Sequence, residues 1–118
     1  MRKIYFALPG NETLTNQLIQ KEGAEKGQVE IRQFPDGETY IRILSDVKGK
    51  NIVLVCSLNV PDPKVLPLYF LSKTAKDMGA KSVCLIAPYL AYMRQDTIFN
   101  PGECVSSTYF ATLLSSFI

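Results

Sequence analysis

A chain of 118 residues is long enough for one domain with a modest core, and its 47% hydrophobic content is ordinary for a globular protein. Thirteen basic residues against eleven acidic ones leave a net charge of +2, scattered without a stripe, which argues against a nucleic-acid partner. No apolar run has the length of a membrane span or a signal peptide; the lack of any histidine removes zinc and a Ser-His-Asp triad, and the wide spacing of Cys56, Cys84 and Cys104 fits a reduced, cytoplasmic protein better than a disulfide framework or a metal site.

The first element, "KIYFALP" from Lys3 to Pro9, reads as a buried strand. Asn11 is placed to cap a helix with Leu14, Leu18 and Ile19 on one face, ending between Gly23 and Gly27. "RQFPDGETYIRI", Arg32 to Ile43, is a hairpin. "NIVLVCS", Asn51 to Ser57, is continuously apolar, as a central parallel strand should be. Asp62 then caps a helix with Pro63 in its first turn. Leu68, Leu71, Ala75 and Met78 recur at helical spacing, and Gly79 ends the helix. "SVCLIAP", Ser82 to Pro88, is another buried strand, followed by a loop from about Tyr89 to Gly102. The last helix runs from about Glu103 with Val105, Tyr109, Leu113 and Phe117 inward. Strands alternating with helices argue a parallel α/β sheet. The apolar ending "SSFI", with no cap and no following strand, suggests a chain cut in mid-fold.

The hairpin's register follows from its turn. Pro35 presets φ in a type I turn and Gly37 takes the left-handed position after it, so Phe34 pairs with Glu38. Ile31 then faces Ile41 and Val29 faces Ile43 on the buried side. Glu30 faces Arg42 and Arg32 faces Tyr40 on the wet side, which also carries Phe34 and Glu38, with Asp36 at the tip. Phe34 is either a contact surface or a ring packed under a neighbouring loop, and this stretch alone favours the packed ring.

Ligands of open α/β sheets bind beyond the carboxyl ends of the strands. "PYLAYMRQDTIFNPGE", Pro88 to Glu103, falls there. Arg94 offers a planar fork of donors for phosphate oxygens and can stack on a base, and Gln95 can both donate and accept. An Arg94–Asp96 pair that merely braces its own loop is an equal reading. No Walker A or G-x-G-x-x-G sequence is present.

Taken together, "FPDGETYIRI" and "APYLAYMRQD", with "DVKGKNIVLVCS" and "KTAKDMGAKSVCLIAP" between them, resemble the N-terminal half of ribose-phosphate pyrophosphokinases, also called phosphoribosyl pyrophosphate synthetases. Pro101-Gly102-Glu103-Cys104-Val105-Ser106 is similar to the family's P-G-E-x-x-S. The resemblance implies a phosphoribosyltransferase-like parallel sheet flanked by helices, with an antiparallel β-hairpin. It implies an N-terminal domain over 1–118, ended before its last strands, with the C-terminal domain absent. The implied chemistry is transfer of diphosphate from ATP, with Mg2+, to ribose 5-phosphate for nucleotide biosynthesis, in a cytoplasmic homo-oligomer without membrane or nucleic-acid partner.

The resemblance also implies roles by motif position. Phe34, Asp36 and Glu38 reach across a subunit interface to the adenine of a neighbour's ATP, and Arg94, Gln95 and Asp96 form the ATP-binding R-Q-D loop. No catalytic or metal-binding residue falls in this sequence, so by itself it should be inactive; ribose 5-phosphate is held mainly by the missing domain. Thr97 stands where the family has a basic residue, and Leu90 and Met93 also depart from its pattern. Thr97 favours one alternative, a non-catalytic synthetase-like regulatory subunit. A phosphoribosyltransferase of the same fold is disfavoured, because those proteins lack the hairpin paired with R-Q-D.

Overall fold

The computed structural model describes residues 2–118. The elements run β1 (Lys3–Ala7), α1 (Glu12–Glu22), β2 (Glu25–Lys26), β3 (Val29–Gln33), β4 (Thr39–Ile43), β5 (Asn51–Val55), α2 (Asp62–Asp77), β6 (Ser82–Ile86) and α3 (Ser106–Ser115). Four strands form a parallel sheet in the order β2-β1-β5-β6, and β3 and β4 form a separate antiparallel hairpin.

The apolar runs explain the layering. β1 and β5 lie inside the sheet, and Ile4, Tyr5, Phe6 and Ile52 to Val55 are all buried. Both faces must therefore be covered. α1 covers one, packing Leu14, Leu18 and Ile19 on Tyr5, Val53 and Val55. The other face carries the main core, where Leu68, Leu71 and Ala75 of α2 and Phe110 and Leu114 of α3 meet Ile4, Phe6, Ile52 and Leu54. The hairpin adds Val29, Ile31, Ile41 and Ile43 to that core.

The hairpin's register is the one its turn predicts, with Ile31 opposite Ile41 and Arg32 opposite Tyr40. Phe34 N–H donates to the Glu38 carbonyl (2.7 Å), Gly37 N–H to the Phe34 carbonyl (2.8 Å), and Gly37 has φ +93°.

Other expectations are corrected. Asn11 stands at the start of α1, but its side chain does not cap it. Its Oδ1 accepts the Ser57 N–H (3.0 Å) and its Nδ2 donates to the Leu8 carbonyl (3.1 Å), tying the end of β1 to the end of β5. Asp62 likewise opens α2 without capping it, because its carboxylate accepts the Tyr92 hydroxyl. β6 is an edge strand, not a fully buried one: Val83 is buried but Cys84 is exposed. α3 runs Ser106–Ser115, and its inward residues are Phe110 and Leu114, with Phe117 buried just past its end as expected, leaving Tyr109 65% and Leu113 46% exposed. Two apolar rows lie side by side on that helix, and only docking on the sheet selects one.

Candidate nucleotide site

A cleft of about 540 Å³ lies beyond the carboxyl ends of β5 and β6. Asn59, Val60, Pro61 and Asp62 form one wall, Tyr89 and Ala91 to Gln95 the other, and Ser106 closes the end. Two of these residues hold left-handed backbones that no glycine relieves: Val60 at φ +49° and Tyr92 at φ +65°. Such conformations cost on the order of 1–3 kcal/mol each and persist only where their surroundings over-determine them.

Those surroundings are specific. The Tyr92 hydroxyl donates to Asp62, which raises the tyrosine's pKa, and its ring packs on Phe110 with centroids 4.8 Å apart. The Leu58 N–H donates to the Tyr89 carbonyl (2.8 Å), and the Ser107 N–H to the Gln95 carbonyl (3.2 Å). The loop is thus pinned to β5, α2 and α3 while its side chains face the cleft. Lys64 adds no free charge there. Its ammonium donates to the carbonyls of Ser57 (2.9 Å) and Asn59 (2.6 Å) and to Asn59 Oδ1 (2.9 Å), which uses all its protons on the β5–α2 loop.

Arg94 is exposed and makes no hydrogen bond or ion pair among the described residues, so the Arg94–Asp96 brace does not form. Gln95 lines the cleft and donates to the Thr97 carbonyl (2.7 Å). Asp96 is exposed and is not part of the cleft lining. Among the described residues no group of three or more His, Cys, Asp or Glu side chains could hold a metal ion.

Phe34, Asp36 and Glu38 lie elsewhere, at the hairpin tip, and none of them lines the cleft. Phe34 is 40% exposed and stands perpendicular to Tyr40 of its own hairpin (88°, centroids 5.7 Å apart). Asp36 Oδ1 accepts the Glu38 N–H (3.0 Å), so one carboxylate oxygen serves the turn. Sequence reasoning missed Asp62 and Tyr92 as a pair; it placed Arg32 and Tyr40 on the wet face with Phe34, where the structure has them, but gave them no part beside its ring. Nothing local announced the Asp62–Tyr92 pair, whose members lie 30 residues apart.

Glu103 holds the far end of the loop. Its Oε1 accepts the N–H groups of Phe99 (3.0 Å) and Asn100 (2.5 Å), and these bonds, that of Asn100 foremost, lower its pKa. A depressed carboxylate contributes stability that is present above its unfolded value and is lost as pH falls through the lower folded one. The Phe99 and Asn100 amide shifts should therefore titrate together below the ordinary glutamate value of about 4.3, and the step should vanish in Glu103→Gln. NMR titration checks this; a midpoint at or above the ordinary value contradicts it.

The parallel α/β sheet with a cleft at its carboxyl edge is a phosphoribosyltransferase-like fold, as superposition on solved structures shows. Residues 3–117 match the family described as the N-terminal domain of ribose phosphate pyrophosphokinase, and the chain belongs to that family. It is 40% identical over 89 residues to the ribose-phosphate pyrophosphokinase of Saccharolobus solfataricus, covering 75% of this chain and 31% of that protein. The crystal structure of phosphoribosylpyrophosphate synthetase from Mycobacterium smegmatis superposes with a TM-score of 0.89 at 23% identity, over 98% of this chain and 39% of that one. The purine phosphoribosyltransferase of Pyrococcus horikoshii superposes with a TM-score of 0.57 at 17% identity, over 75% of this chain and 63% of that one, a likeness of fold. The chain spans about a third of the length of the curated relatives it matches.

Proposed function

We propose that this chain is the N-terminal domain of a longer ribose-phosphate pyrophosphokinase, one that transfers diphosphate from ATP to ribose 5-phosphate. Its relatives' names and their roughly threefold greater length support the reading. The domain's part is to grip the nucleotide from two sides. Arg94 and Gln95 face the cleft, Arg94 with its donors free for phosphate or base. Asp96 sits beside them at the exposed rim. Phe34 stacks on the adenine, and Glu38 with the second oxygen of Asp36 accepts from the amino edge.

One observation carries this: an exposed aromatic with carboxylates beside it stands on a paired hairpin, outside the cleft of its own chain. Such a group serves the cleft of another copy, so the working unit is a homo-oligomer. The cleft's donor set does not fit a resident metal, since its carboxylate, Asp62, is already engaged by Tyr92. Mg2+ belongs with the phosphates of the bound nucleotide.

In the full-length protein, Phe34→Ala should weaken ATP binding by about 1–3 kcal/mol, the scale of one base–aromatic stack, with little change in melting temperature. Asp36→Ala should relax discrimination against purines without the amino group. ATP titrations and thermal melts decide. A large fall in melting temperature with intact affinity for Phe34→Ala overturns the reading.

A further inference from the structure

The ring of Phe34 is not free-standing. Phe34 and Tyr40 are diagonal neighbours on the wet face of the hairpin, because Phe34 pairs with Glu38 and Arg32 with Tyr40. The two rings stand edge to face. The Arg32 guanidinium carbon lies 4.2 Å from the Tyr40 ring centroid and 5.4 Å from that of Phe34, within cation–π range of both. Arg32 is held in turn, since its Nε donates to Glu30 Oε2 (3.0 Å). The cluster buries little: Phe34 and Arg32 are exposed and Tyr40 is half-buried. Core packing does not call for it.

We infer that Tyr40, braced by Arg32, is a positioning residue for the base-stacking ring of Phe34. This rests on the nucleotide-gripping role proposed above. An exposed phenylalanine on a hairpin samples several rotamers, and a base that stacks on it must select one. Fixing the ring beforehand removes that cost from binding. An edge-to-face partner does so without covering the ring, which keeps its exposed surface for the base.

The test uses the full-length protein with two probes, ATP and inorganic tripolyphosphate, which has the phosphates but no base. Tyr40→Ala should weaken ATP binding about two- to tenfold, the worth of one aromatic pair, and leave tripolyphosphate binding unchanged. Tyr40→Phe, which keeps the ring, should bind ATP as the parent does. Tyr40→Leu keeps apolar bulk without a ring and should behave as Tyr40→Ala; it serves if the alanine variant is poorly folded. With Phe34→Ala in the background, Tyr40→Leu should have no further effect on ATP. If Phe34→Ala weakens ATP binding but neither Tyr40→Ala nor Tyr40→Leu does, the positioning role is wrong while the stacking role stands. If Phe34→Ala itself leaves ATP binding unchanged, the stacking role fails and the positioning role with it. Equal losses for ATP and tripolyphosphate in the Tyr40 variants also overturn it, because a base-positioning residue cannot act on a ligand without a base.

Discussion

Gly27→Ala should destabilise the fold by about 1–3 kcal/mol, although it adds a single methyl group. A Cβ at position 27 would lie 2.4 Å from Phe6 Cε1 and 2.6 Å from two other atoms of that ring. Phe6 is fully buried in the sheet's main core, where close packing resists a shift of its ring. The Gly27 backbone cannot retreat freely either, since its N–H donates to the Tyr5 carbonyl at 2.7 Å. The requirement is one of space, not of a left-handed backbone. Thermal melts should register a fall on the order of 5–15 °C. Shrinking the obstructing ring should relieve the clash, so Phe6→Leu should cost less in the Gly27→Ala background than alone. Independent, additive effects would show that the close approach is not the cause.

The second large effect is expected at Arg94. Arg94→Lys in the full-length protein keeps the charge but replaces a planar fork by a point charge, and kcat/KM for ATP should fall about ten- to hundredfold, the loss of one or two charge-assisted hydrogen bonds. Arg94 is exposed and without an ion pair among the described residues, so the melting temperature should stay where it is. Unchanged steady-state kinetics with a lowered melting temperature would assign Arg94 to bracing the loop instead.

Both effects depend on relations of different range, and so does what could be read in advance. The hairpin was legible residue by residue, because Pro35 and Gly37 restrict φ locally and a turn fixes the pairing of the strands that leave it. The interior strands were legible because a run such as "NIVLV" suits only a position covered on both faces. The R-Q-D loop could be located beyond β6 from order alone, and Arg94 and Gln95 do line the cleft there. Side-chain partners were not legible. Asn11 and Asp62 have the sequence position of helix caps, yet each bonds a segment far along the chain, Ser57 and Tyr92 respectively. A short polar side chain at a helix start can satisfy a nearby N–H or a distant group, and proximity in space decides between them.

The sequence by itself determined the α/β class, the hairpin with Phe34, Asp36 and Glu38 at its exposed end, and the placing of Arg94 and Gln95 beyond the sheet, because turn chemistry, apolar runs and strand–helix alternation act over a few residues. The tertiary structure decided which row of α3 turns inward, that Arg94 and Asp96 form no ion pair, and how Tyr92 is held at a left-handed φ between Asp62 and Phe110. It also decided that the hairpin tip and the cleft stay apart within one chain. The physical reason is common to all of these: each is set by what a surface meets when elements dock, and docking joins residues between which the local sequence carries no energetic coupling.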